Sequence, residues 1–178
     1  WITDGTTAGT SEIVDNNGAP IGAVLTNSTS FAVVSDKLYF LAANGTSNSD
    51  YNLHLSGGTS QTTSLVFNVD QYVVKNLASA GDKLFFRGKV AGSGDFPSLW
   101  VHEPINGTAP MEIGAGIYPY YITAVGDNVF FTAVDNSGDM EVWTSDGTVG
   151  NTRRVKDITV GGPTEIRDGL FVSAGGKA

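Results

Sequence analysis

The chain has 178 residues, a length suited to one domain around one sizeable core. Hydrophobic residues make up 40% and charged residues only 16%, and the formal net charge is −8 with ten Lys and Arg in all. Its tightest basic group, Arg153, Arg154 and Lys156, is followed at once by Asp157, which argues against a nucleic-acid partner, because phosphate binding needs clustered cations that release counterions. The absence of cysteine excludes a disulfide framework and thiolate chemistry, and no apolar run approaches the length of a membrane span.

In chain order, the first element is Trp1-Ile-Thr-Asp-Gly-Thr-Thr-Ala-Gly-Thr10, an aromatic residue leading into an Asp-Gly-Thr turn. Phe31-Ala-Val-Val34 and Ser35-Asp-Lys-Leu-Tyr-Phe40 then predict short strands about a tight hairpin turn, since Ser, Gly and Asp suit turns and Gly and Asp tolerate positive φ. Leu53 to Thr63 is a worn copy of the opening motif, with His54 in place of Trp and Gly57 in place of Asp. After the β-rich run Tyr72-Val-Val comes a second turn-and-strand marker, Gly81-Asp-Lys-Leu-Phe-Phe86. Leu99-Trp-Val-His-Glu-Pro-Ile-Asn-Gly-Thr108 is another worn copy of the first motif, with three extra residues between Trp100 and Asn106. Gly126-Asp-Asn-Val-Phe-Phe131, Trp143-Thr-Ser-Asp-Gly-Thr-Val-Gly-Asn-Thr152 and Asp168-Gly-Leu-Phe-Val172 complete the series.

Each marker occurs four times, and Leu38, Leu84, Val129 and Leu170 are 46, 45 and 41 residues apart. A period near 45 with about four short strands per unit predicts an all-β chain of β-propeller type, in which neighbouring units bury what one sheet cannot bury alone. One domain is expected over 1–178, with paired markers at 1–10 and 31–40, 53–63 and 81–86, 99–108 and 126–131, and 141–152 and 168–172. Leu-Phe-Phe is expected as a buried inner strand and Leu-Trp as an outer strand packing on the next unit. Four copies allow a closed four-bladed ring or an arc of a larger propeller. Opening at Trp1 inside a repeat, the chain is expected to be a segment of a longer protein.

Glu141-Val-Trp-Thr-Ser-Asp-Gly-Thr148 resembles the ELWxxDGT repeat of large bacterial surface and secreted proteins, and Trp1 to Thr10 resembles it with the leading residues cut away. Val155-Lys-Asp-Ile158, Gly161-Gly162 and Gly169-Leu-Phe171 keep the order in which that repeat usually continues. The resemblance implies a propeller-like fold and a secreted or cell-surface setting, and it implies no catalytic activity. It casts Trp1, Asp4, Gly5, Thr6, Trp100, Gly107, Thr108, Trp143, Asp146, Gly147 and Thr148 as structural repeat positions.

Turn chemistry accounts for the same residues without any family: Asp bonds nearby backbone N–H groups, Gly supplies positive φ and Thr enters the next strand. The tryptophans' fixed place in the repeat favours packing between units over stacking on sugars. Tyr118, Tyr120 and Tyr121 have no counterpart in the other units and form the candidate ligand-binding patch. Asp135, Ser137, Asp139 and Glu141 offer oxygens at alternate positions, a spacing Ca²⁺ can use, but the loop lacks the glycine of a DxDxDG turn, the equivalent segments Asn44 to Asp50 and Ala91 to Asp95 do not repeat the pattern, and an acidic solvated hairpin loop is the simpler reading. No other cofactor is indicated. Asn27, Asn44 and Asn106 fit the N-glycosylation pattern, which a composition rich in Asn, Gly and Thr produces easily.

Neither His54 nor His102 sits in a motif with a nucleophile, and no nucleophile elbow or phosphate loop is present. The expected role is therefore a non-catalytic secreted or cell-surface module for binding, adhesion or extracellular structure. Its expected partners are proteins or glycans at the cell surface, with self-association. The rivals are a subunit of a polymeric extracellular assembly and a propeller glycoside hydrolase or lyase.

Overall fold

The computed structural model describes residues 1, 3, 5–12, 14, 18, 20–21, 31–43, 51–59, 62–68, 76–89, 97–134, 138–156, 171 and 174. Twelve strands among them form three four-stranded antiparallel sheets, each built from consecutive strands. Sheet 1 holds β1 (Phe31–Val34), β2 (Lys37–Ala43), β3 (Tyr51–Ser56) and β4 (Thr63–Asn68). Sheet 2 holds β5 (Leu77–Ala80), β6 (Lys83–Gly88), β7 (Ser98–His102) and β8 (Met111–Gly114). Sheet 3 holds β9 (Tyr118–Val125), β10 (Asn128–Val134), β11 (Met140–Ser145) and β12 (Arg153–Lys156).

The predicted tight turns open all three sheets. Val34 pairs with Lys37, Ala80 with Lys83 and Val125 with Asn128, so each first hairpin has a two-residue turn. Ser35 and Asp36 both have positive φ, as a type I′ turn requires, while Gly81 and Gly126 supply it at the first turn position. The strands that follow are the Leu-Phe-Phe marker, and their period-2 alternation sends neighbouring rings to opposite faces. That matters most in sheet 2, which is covered on both sides.

Leu84, Phe86 and Trp100 join Tyr39, Leu41 and Leu53 in a core between sheets 1 and 2. Phe85, Leu99 and Val101 join Ile122, Val129 and Phe131 in a core between sheets 2 and 3. Phe85 and Phe86 are fully buried, and removing either ring costs about 3–5 kcal/mol at such a site. The first strands lie side by side in chain order, β1 against β5 and β5 against β9.

Equivalent registers confirm that the units repeat in space. Phe40 stands opposite His54, Phe86 opposite Trp100 and Phe131 opposite Trp143, so His54 does occupy a Trp position. The ladder to the fourth strand slips at one place in every sheet: between Leu53 and His54, Leu99 and Trp100, and Val142 and Trp143. Opposite each Leu-Trp-type dipeptide the fourth strand therefore carries one extra residue, Val66, Ile113 and Val155 in turn, while the ring and its neighbour face opposite sides by the ordinary pleat.

Three expectations need correction. Trp100 and Trp143 pack on the preceding sheet, and it is the Leu beside Trp100 that faces the following one. Trp1 does not pack between units at all, being 78% exposed. The turn after Trp100 is also shorter than the motif match implies: from Val101 to its partner Met111 the chain runs only one residue longer than from Thr144 to Arg153. Glu103 and a 3-10 turn at Pro104–Asn106 fill that loop. Among the described residues the sheets do not close into a ring. Of the last inner marker, Phe171 alone is described, half-buried with its ring 6.5 Å from that of Phe130. Among the described residues, no helix is long and apolar enough to cross a membrane.

Candidate functional site

The three candidate tyrosines do come together, and a cation joins them. β9 is twice the length of β1 or β5, so Tyr118 and Tyr120 extend beyond the short first hairpin and pair with Val134 and Thr132. All three tyrosines are half-buried, while Pro119 and Ile122 between and after them are buried anchors. Arg87, on β6 of the neighbouring sheet, lays its guanidinium carbon 4.6 Å above the centre of the Tyr120 ring. That is cation–π distance, worth about 0.5–2 kcal/mol depending on desolvation. The Tyr120 and Tyr121 rings sit 6.5 Å apart and tilted by 39°. Partial desolvation, with neighbouring Tyr120, raises the Tyr118 phenol above its ordinary value, and the Arg87 charge draws it back.

Tyr121 is held in an unusual backbone conformation. Thr123 pairs with Phe130 and Tyr120 with Thr132, so Tyr121 and Ile122 stand as two residues against Phe131 alone. At this bulge Tyr121 has φ +54°, in the left-handed region. The residue in the same place before the first strand of sheet 2, Asn76, has φ +80°. The repeat thus asks for a left-handed residue here. Sheet 2 meets it with Asn, which tolerates the conformation, and sheet 3 with Tyr, which pays roughly 1–2 kcal/mol for it.

Arg87 was not legible as part of the patch, because 33 residues separate it from Tyr120. The available signal is a departure from the repeat: after the buried aromatic, sheet 1 has Leu41 and sheet 3 has Thr132, whereas sheet 2 has Arg87.

The other candidates are placed differently. Asp135 and Ser137 lie outside the described residues. Asp139 is half-buried just before β11, and Glu141 is fully buried within that strand opposite Ala133, away from any loop tip. Among the described residues no three His, Cys, Asp or Glu side chains converge as a metal site would require. Asn27 and Asn44 lie outside the described residues. Asn106 is exposed, and its amide donates to Glu103 Oε2 at 2.6 Å.

The Asp-Gly-Thr positions are turns, built around a chain of hydroxyl groups. Gly147 N–H donates to Ser145 Oγ at 3.1 Å, and Thr152 Oγ1 donates to the Thr148 carbonyl at 2.7 Å. With Thr152's one proton so used, Ser145 is the donor in the 2.8 Å bond between the two hydroxyls. The same clasp links Gly58, Ser56, Thr63 and Thr59, and again Gly5, Thr3, Thr10 and Thr6. Gly5, Gly58 and Gly147 share φ between +92° and +98°. Asp4 lies outside the described residues. Gly107 and Thr108 belong to the one outer turn that departs, where buried His102 replaces the clasp hydroxyl and bonds the Thr108 backbone. Asp146 accepts from the Thr148 N–H and hydroxyl and from Asn151, which hold its carboxyl below the ordinary value. No protein-family model matches the chain, and no curated protein matches it.

Proposed function

We propose that this chain is part of a β-propeller-type, ELWxxDGT-like repeat protein of the secreted or cell-surface kind, and that it binds glycans without catalysis through Arg87, Tyr118, Tyr120 and Tyr121. The propeller reading is supported by the four-stranded antiparallel units and by β1, β5 and β9 lying side by side in order, as the innermost strands of neighbouring blades do. The secreted setting rests on the motif resemblance.

The observation that carries the binding reading is the left-handed Tyr121 beside the Arg87–Tyr120 stack. A fold that could place Asn at this bulge instead holds a strained tyrosine, next to a ring already backed by a cation. Half-exposed phenol rings offer flat apolar faces to a sugar ring, and the guanidinium and hydroxyls offer hydrogen bonds to its edge. The test is a glycan array followed by titration calorimetry on the strongest ligand. Tyr120→Ala and Arg87→Ala are expected to weaken binding about tenfold or more each, as hot-spot aromatics and arginines do. Ile105→Ala, at an exposed position on another turn, should leave it unchanged. Absence of glycan binding, or binding indifferent to these variants, would refute the proposal.

A further inference from the structure

The cation of the tyrosine patch has no counter-charge within it. Arg87 is half-buried on β6, and its Nε is buried with no hydrogen-bond partner among the described residues. One face of the guanidinium is taken by Tyr120, 4.6 Å from the ring centre. Stacking of this kind covers a face and leaves the edge, because the N–H donors lie in the guanidinium plane. Among the described residues no carboxylate forms an ion pair with Arg87. The strands that build and flank the patch, β5, β6, β9 and β10, contain no Asp or Glu.

The fold does not ask for a charge at this place. The equivalent residues after the buried aromatic are Leu41 in sheet 1 and Thr132 in sheet 3, and both sheets form with the same register. A half-buried guanidinium without a counter-ion costs stability, and a cation–π contact offsets only part of that cost. An anion brought by a ligand would complete the pairing, in a molecule whose own net charge is −8.

We infer that the glycan recognised here is acidic, a carboxylated sugar whose carboxylate takes the open edge of Arg87 while its ring lies on the tyrosines. This rests on the glycan-binding reading above and adds the charge class of the ligand. A planar carboxylate matches the guanidinium fork with two parallel hydrogen bonds, which the partly dry setting strengthens. A densely sulfated chain fits poorly, since it needs rows of cations and the whole chain has ten Lys and Arg against eighteen Asp and Glu.

The test is a glycan array on the whole chain that carries uronic-acid and sialic-acid oligosaccharides, each beside its carboxyl methyl ester, with neutral oligosaccharides and heparin fragments. The ester keeps the sugar and removes the charge. The acid form of the strongest ligand should bind about tenfold or more tighter than its ester in calorimetry, and salt should shrink the difference. Arg87→Gln should abolish the preference for the acid, while Tyr120→Ala should weaken acid and ester alike. The acid-against-ester comparison needs no variant, so it stands even if Arg87→Gln fails to fold. Equal binding of acid and ester, binding of neutral sugars alone, or a preference for heparin fragments would overturn the inference and leave the glycan reading in place. Binding to no glycan on the array would overturn both.

Discussion

Lys83 donates a hydrogen bond to the Asp146 carbonyl oxygen at 2.6 Å across 63 residues of sequence, joining the two repeat markers of neighbouring sheets. The Asp-Lys-Leu marker of one sheet caps the Asp-Gly-Thr turn of the next, and a physical link of this kind gives both motifs a reason to recur. The same ammonium lies 3.7 Å from Glu103, an ion pair in reach of solvent and so of small worth.

Lys83→Met should therefore lower unfolding stability by about 1–2 kcal/mol, since a charge-assisted hydrogen bond is lost at a part-buried carbonyl. Glu103→Gln should change it by less than about 1 kcal/mol. Urea denaturation followed by Trp fluorescence gives both values. Gly147→Ala should be worse than either. It forces a side chain into φ +96° and brings its Cβ to 2.8 Å from Lys83 Cδ.

The hydroxyl clasp makes a graded prediction. Ser145→Ala and Ser56→Ala remove a buried acceptor from a glycine N–H and should each destabilise by about 1–2 kcal/mol. Thr3→Ala removes the same bonds at an exposed turn, where water replaces them, and should be nearly neutral. Thermal unfolding of the three variants side by side checks the ranking.

Much of this architecture was legible because its causes are local. Two-residue turns at Ser35-Asp36, Gly81-Asp82 and Gly126-Asp127 need positive φ and have the residues for it, and Phe85 and Phe86 follow the period of a strand buried on both faces. The direction in which Trp100 points was not legible, because it is set by its register opposite Phe86 on β6, which sequence does not mark. The turn after His102 was misjudged for a related reason. Matching Asn106-Gly107-Thr108 to Asp146-Gly147-Thr148 hides the fact that His102, by register, stands where Ser145 does. Arg87 and Lys83 act across sheets, at distances along the chain that local patterns cannot reach.

Stability should fall in two steps on acidification. Desolvation, with the nearby Lys37 charge, lowers the His102 pKa against the pull of its Thr108 bond, so the folded state holds this imidazole neutral. Its contribution is fully present above the unfolded value near 6.5 and is lost as pH falls from there through the lowered folded value. Asp146 acts below that range. Its pKa is depressed by the Thr148 and Asn151 bonds, so its contribution is present above about 3.8 and is lost as pH falls through the folded value. His102→Ser should flatten the first step and Asp146→Asn the second, in denaturation curves recorded from pH 7 to pH 2.

Tyr121→Asn separates binding from folding. Asn accepts the left-handed backbone that Tyr121 adopts, so the variant should be more stable by about 0.5–1 kcal/mol. The same change removes one ring of the patch and should weaken glycan binding. A variant that loses stability would mean that the tyrosine ring serves packing more than recognition.

Cross-sheet nuclear Overhauser effects in the aromatic and methyl region test the repeat architecture most directly. The structure predicts contacts between the Tyr39 and His102 rings, whose centres are 5.6 Å apart across sheets 1 and 2, and contacts across sheets 2 and 3 within the shared core that holds Phe85, Leu99 and Val101 with Ile122, Val129 and Phe131. Ladder contacts within each sheet, with both cross-sheet sets missing, would contradict the side-by-side packing of the units.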